Sequence, residues 1–202
     1  MNGHETEAKF YVRNLGKIEL RLHELKAQLI QPRIHESNLR FDNEHSDLRN
    51  NSRVLRLRQD EKARFTFKGP SQEKEGGVLS RQEIEFIVED FESAKQFLEA
   101  LGYKAVVFYE KFRTTYDLYD AHIMLDELPY GEFVEIESES VEAIRNIANL
   151  LGLNWATIVN AGYHSLFERV TEKYKLESSQ LSFSALENIK ITSKDLGIQT
   201  AD

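Results

Sequence analysis

Residues 4 to 13, HETEAKFYVR, alternate in character: Thr6, Ala8, Phe10 and Val12 share one parity, Glu5, Glu7 and Lys9 the other, the two-residue period of a strand. From Leu15 the period changes. Ile18, Leu22, Leu25 and Leu29 recur at helical spacing and Gln31-Pro32 follows as a stop, which predicts a helix to about Leu29. Extended stretches are expected at 33–42, 53–59 and 63–68, and the Gly, Pro and Ser content of 69–80 reads as a loop. The order then repeats. A strand at 81–89 leads to a helix from Phe91 to Leu101, with Asp90 as N-cap and Gly102 as stop, then to strands at about 105–119, 121–126 and 132–138, the last entered through Pro129-Tyr130-Gly131. Two β-α-β-β-β halves result, headed by Glu5-Thr6-Glu7 and Glu83-Ile84-Glu85. Ser140 caps a third helix that stops at Gly152, and a fourth is expected over 154–175, with Ile158, Gly162, Leu166 and Val170 on one stripe. The Ser-rich stretch beyond is expected to be a flexible tail, 176–202, with one short helix near Ser184 to Lys190, attached to a single domain spanning 1–175.

The polar parity of these strands is charged rather than neutral. Arg56 and Arg58 oppose Leu55 and Leu57; Arg64, Thr66 and Lys68 oppose Phe65 and Phe67; Arg81, Glu83 and Glu85 oppose Ile84 and Phe86; Lys111 and Arg113 flank Phe112; Glu135 and Glu137 oppose Val134 and Ile136. For any one strand an open sheet with a solvated face explains this. Repetition of like-charged pairs at i, i+2 argues instead for a sheet closed into a barrel, with the charges around a channel and the apolar faces under helices. Enclosed charges need partners. Carboxylates on one side suit a hard divalent cation such as Mg2+ or Mn2+, and clustered Arg and Lys opposite suit a polyanion, so the combination suits a metal-bound triphosphate.

Composition narrows the chemistry further. The 202 residues contain no cysteine, which removes disulfides, thiolate metal sites, thiol redox chemistry and a cysteine nucleophile. The net charge of −8 argues against nucleic acid as partner but leaves room for a basic pocket. No apolar run approaches the roughly 20 residues of a membrane helix, and Met1 to Thr6 lack the basic and apolar regions of a secretion leader, so a cytoplasmic protein without membrane contact is expected. The six histidines show no metal-ligand spacing, and Trp155, Tyr163 and Phe167 read as the packing face of the last helix.

Glu5-x-Glu7-x-Lys9, Arg56-x-Arg58, Lys68 before Gly69-Pro70, Glu83-x-Glu85, Lys111-x-Arg113, Asp126 and Glu135-x-Glu137 together resemble the CYTH family, the triphosphate tunnel metalloenzymes, over about residues 4 to 170. That family includes class IV adenylyl cyclases, thiamine triphosphatases and inorganic triphosphatases. The resemblance implies an α+β fold, an eight-stranded antiparallel closed β-barrel with helices packed outside. It implies Glu5, Glu7, Asp126, Glu135 and Glu137 as ligands of Mg2+ or Mn2+, and Lys9, Arg56, Arg58, Lys68, Lys111 and Arg113 as triphosphate-binding groups. Lys68, Glu7 and Glu137 are the candidate catalytic residues, and Glu83 and Glu85 either orient the cations or hold a second metal. Two departures bear on the substrate. Arg40 stands where thiamine triphosphatases place a tyrosine, and only Met1 to His4 precede the ExExK strand, where class IV cyclases carry a His-Phe element. The resulting expectation is a metal-dependent hydrolase of tripolyphosphate or a nucleoside triphosphate such as ATP. Alternatives are a class IV adenylyl cyclase and a nucleotide- or polyphosphate-binding module without turnover; a homodimer is compatible with each.

Overall fold

The computed structural model describes residues 4–177 and 179–202. Met1 to Gly3, on which the reading of the N-terminal end partly rests, lie outside the described residues. Strand β1 (His4–Val12) buries both faces, with Ala8, Phe10 and Val12 turned to the apolar core and Glu5, Glu7 and Lys9 turned to an internal cavity. Asn14 then caps α1 (Leu15–Glu24) by accepting from the Lys17 N–H at 3.1 Å, and the helix buries Leu15, Ile18 and Leu22. It stops short of the expected Leu29. Lys26 adopts φ 58 and the Ala27 N–H donates to the Leu22 carbonyl at 2.9 Å, a left-handed closure. Strand β2 (Gln28–Asp42) follows at once, and Pro32, expected as a stop, lies within it where the pairing is irregular and no N–H is required.

A single turn, α2 (Asp47–Asn50), joins β2 to β3 (Val54–Gln59), which pairs with β4 (Ala63–Lys68). The expected loop at 69–80 is partly ordered into a two-residue strand, β5 (Gln72–Glu73), and the start of β6 (Leu79–Val88). Asp90 caps α3 (Phe91–Ala100) through the Ser93 N–H at 2.6 Å, and Gly102, at φ 89, lies just beyond its end. Strands β7 (Lys104–Leu118), β8 (Ala121–Leu128) and β9 (Gly131–Ser138) form a meander, followed by α4 (Val141–Leu150) capped by Ser140. The strand order is β1-β9-β8-β7-β2-β3-β4-β6, and β6 pairs back onto β1 with Glu5 opposite Arg81 and Glu7 opposite Leu79. These eight antiparallel strands close a barrel, as the resemblance implied. The order of the two halves is also as read, with their leading strands β1 and β6 adjacent at the seam.

The apolar outer face packs under α1 and α4, through Phe10, Ile18, Leu22, Val134, Ile136, Ile144 and Ile147, and under α3 through Phe41, Leu57, Ala94 and Leu98. Two expectations for the C-terminal third are corrected. The helix expected over 154–175 is interrupted: one 3-10 turn spans Trp155–Thr157, and Ile158 is extended. The Val159 N–H donates to the Lys9 carbonyl at 2.8 Å, and α5 runs only from Tyr163 to Tyr174. The tail is packed rather than loose. Its strand β10 (Gln180–Leu181) pairs in parallel with β7, α6 (Phe183–Leu186) follows, and Thr200 bridges to Tyr11. Leu181, Leu186 and Leu196 are buried with Leu166, Phe167 and Val170 of α5 against Leu128 and Phe133, so α5 and the tail stopper one end of the barrel.

Candidate functional site

Because side chains alternate along each strand, closure gathers every charged parity on the inside. The cavity so formed measures about 970 Å³. Among the described residues its lining carries eleven Lys and Arg side chains against seven carboxylates; Glu36 and Asp126 stand behind the wall and bring the latter to nine. In a chain of net charge −8 the tunnel is the basic place.

Its charges fall into two groups. In the first, Lys9 pairs with Glu135 at 2.8 Å, and Arg113 grips Asp126 through two bonds of 2.6 Å while also pairing with Glu135. Lys111 and Tyr163 donate to the same Asp126, at 2.9 and 2.7 Å, and the Lys9 ammonium lies 4.1 Å over the Tyr163 ring. Burial opposes the Glu36 charge, but Lys111 and Arg58 outweigh it and hold its carboxyl well below the usual range. In the second group Lys68 donates to both Glu5 oxygens at 2.9 and 3.0 Å and pairs with Glu83 at 2.9 Å, while Arg81 reaches Glu5 at 2.6 Å and Glu7 at 3.5 Å. Glu137 stands opposite Glu7 in the sheet; burial first, then the charges of Glu5 and Glu7, push its carboxyl up. Burial and the neighbouring Arg81 bring Lys68 down to about 8.

Between the groups, Arg56 donates to Thr66 at 3.0 Å and to the Tyr109 hydroxyl at 3.3 Å, and Thr66 in turn donates to Glu85 at 2.7 Å. Glu83 and Glu85 thus face Lys68 and Arg56. Arg58 is a weakly compensated buried cation on this wall: Glu36 lies 3.5 Å away, Asn38 3.4 Å, and burial with Arg56 alongside lowers its pKa.

The five carboxylates expected around a metal are therefore divided. Glu5, Glu7 and Glu137 adjoin one another, Glu135 is engaged by Lys9 and Arg113, and Asp126 is wholly buried with its oxygens taken by three donors. Among the described residues no three Asp, Glu or His side chains stand ready to coordinate a metal, since Lys68 and Arg81 draw on the same carboxylates. The donor chemistry of Glu5, Glu7 and Glu137 nevertheless fits a hard cation: three carboxylates supply hard oxygen donors, and burial, then the charges of Glu5 and Glu7, lift the carboxyl of Glu137. Sequence reasoning passed over Glu36 and Tyr109, although each shares the polar parity of its strand, and assigned Tyr163 to packing. Only the fold brings that phenol onto Asp126, after the chain breaks at Ile158.

The family model described as CYTH domain matches residues 3–148. The chain belongs to the CYTH domain family. Its relatives include a Methanocaldococcus jannaschii protein named as a candidate adenylate cyclase, 27% identical over 173 residues, which cover 80% of this chain and 97% of that protein. Among solved structures, a Vibrio parahaemolyticus protein named as a candidate adenylate cyclase matches with TM-score 0.74 at 19% identity, covering 83% of this chain and 99% of that one. A Hippeastrum protein, named as a candidate adenylyl cyclase and described as having a dominant triphosphatase activity, matches with TM-score 0.58 at 17% identity, covering 81% and 95%. At these identities the two solved structures establish likeness of fold. Among the described residues no helix is long and apolar enough to cross a membrane.

Proposed function

We propose that this CYTH protein is a metal-dependent triphosphate hydrolase acting on tripolyphosphate or a nucleoside triphosphate. The observation that carries the reading is the cationic excess of an enclosed tunnel, centred on the buried Arg56–Arg58 pair, within an acidic chain. A polyanion completes such a wall, because charge-assisted hydrogen bonds to phosphate oxygens replace the ones the guanidinium groups lack. Lys9, Arg56, Arg58, Lys111 and Arg113 hold the phosphates, with Glu36, Asp126 and Glu135 fixing the rotamers of four of them. Glu5, Glu7 and Glu137 would hold Mg2+ or Mn2+, which when bound neutralises phosphate oxygens and polarises the end phosphorus. Lys68, poised near neutrality beside this group, carries a proton on Nζ that the departing phosphate oxygen can take as water adds to the end phosphorus and the bridging P–O bond breaks.

A second reading is favoured by the names of the relatives: an adenylyl cyclase, in which the ribose 3′-oxygen takes the place of water and pyrophosphate leaves. The dominant triphosphatase activity described for the Hippeastrum protein supports hydrolysis on this fold. Chromatography of the products from ATP and from tripolyphosphate, with Mg2+ and with Mn2+, decides between the two. Orthophosphate as the main product supports the hydrolase; cyclic AMP with pyrophosphate from ATP supports the cyclase and overturns it.

A further inference from the structure

Arg40 lies on the inner face of β2, opposite Arg56 of β3 in register, and lines the cavity. Among the described residues its guanidinium has no hydrogen-bond or ion-pair partner; burial opposes its charge, Tyr109 and Glu168 favour it from beyond hydrogen-bond distance, and Arg49 and Arg56 repel it. The carboxylate at this end of the cavity is Glu168, which Arg49 engages at 2.5 Å and His164 Nε2 approaches to 3.5 Å. His164 Nδ1 is buried without a partner, and burial together with Arg40 brings the imidazole down to about 4, so the ring is neutral at pH 7. Both residues border the first turn of α5, a helix of 12 residues whose N-cap, Gly162, offers no side chain to its open N–H groups. An unpaired guanidinium, the Ser165 hydroxyl and an uncapped helix start meet at one end of the tunnel, each able to donate to one anion, beside a neutral imidazole whose Nδ1 donates only when its single proton sits there rather than on Nε2.

We propose that Arg40, Arg49 and His164, with the first turn of α5, form a further phosphate subsite that takes a phosphate group beyond the three held along the Arg56–Arg58 wall. The inference deepens the triphosphate reading and rests on it for the position of the other phosphates. Arg40 faces Arg56 across the strand pair, so cross-strand neighbours present consecutive cations to one chain. The phosphate is either covalent, the next unit of a longer linear chain, or a free orthophosphate beside a bound triphosphate; the recognising chemistry is shared.

Titration calorimetry on the full chain without divalent metal, which suppresses turnover, tests this with tripolyphosphate, tetrapolyphosphate and orthophosphate. The wild type is expected to bind tetrapolyphosphate about tenfold more tightly than tripolyphosphate, one charge-assisted contact's worth. Arg40→Gln should bring the two within about twofold, and Arg40→Lys should retain part of the difference. If the two chains bind the wild type equally but orthophosphate binds the tripolyphosphate-saturated protein in an Arg40-dependent way, the subsite stands with free phosphate as its occupant. Equal affinities together with no Arg40-dependent orthophosphate binding would overturn the subsite while leaving the tunnel reading intact. Failure of tripolyphosphate itself to bind the wild type would instead overturn the tunnel reading, and with it the chain-extension role proposed here.

Discussion

Side by side on β3, Arg56 and Arg58 repel one another in a buried setting, yet their surroundings differ. Arg56 is offset by Tyr109, Glu36 and Glu85, which keep its pKa raised despite burial, whereas Arg58 has Glu36 at 3.5 Å and its pKa falls. Arg58→Ala is therefore expected to weaken tripolyphosphate binding by about 1.5 to 3 kcal/mol, measured by calorimetry, because the phosphate loses a charge-assisted partner. Unchanged affinity would make the basic wall structural only. Tyr109 adds a pH dependence. Burial pushes its phenol up, but Arg56 and Arg58 overcome that and bring it down to about 8. Above that pH the phenolate adds negative charge beside the phosphate-binding guanidinium groups, so triphosphate affinity should fall as pH rises through about 8. Tyr109→Phe should remove that step; an identical pH profile in the variant would assign the step to Lys68, which comes down to about the same pH. At the acidic group, Glu7→Gln should lower turnover by about 100-fold or more while the melting temperature holds or rises. The substitution removes a metal ligand and at the same time relieves repulsion with Glu5 and Glu137. Full activity in Glu7→Gln, or in a chelator, would sink the metal assignment.

At the scale of elements, turn geometry sets where the charged parities meet. The β8–β9 hairpin turns at Gly131, whose φ of 147 suits glycine, and a Cβ there would lie 2.5 Å from Cε2 of Tyr11. Gly131→Ala should destabilise the fold by about 1 to 3 kcal/mol in denaturant unfolding, through backbone strain and displacement of a ring packed edge-on to Phe133. An unchanged midpoint would show that the hairpin relaxes freely. The seam depends on a similarly local feature. Leu79 and Ser80, which read as loop from the glycines before them, start β6 and supply half of the four pairings to β1. Periodicity missed them because two residues carry no period; their strand character comes from the neighbour that pairs with them. The same reasoning applies to α1, where Leu29 continues a helical spacing that the left-handed Lys26 has already ended.

For the whole molecule, the C-terminal segment is a structural part of the barrel. Leu181, Leu186 and Leu196 are each at least 97% buried, so deleting 176–202 exposes three leucines at about 1.5 to 3 kcal/mol apiece. That is a large share of the 5 to 15 kcal/mol typical of a domain, and a fall of roughly 10 °C or more in melting temperature, or failure to fold, is expected by calorimetry. Melting unchanged from the full chain would mean that the stopper is dispensable. Sequence reading took this segment for a mobile tail because its apolar residues follow no period: each leucine meets a different element of a curved surface. By itself, the sequence determined the strand alternation, the caps at Asp90 and Ser140, the two-half order, and which residues carry charge on a shared parity, since all of these depend on neighbours within a few residues. Tertiary structure alone decided which charges meet. It separated Glu5, Glu7 and Glu137 from Asp126 and Glu135, brought Tyr163 into the wall and Glu36 behind it, and left Arg40 without a hydrogen-bond or ion-pair partner among the described residues. Contacts between residues a hundred positions apart are set by the barrel's closure and register, and the local pattern of a strand does not encode which strand lies across from it.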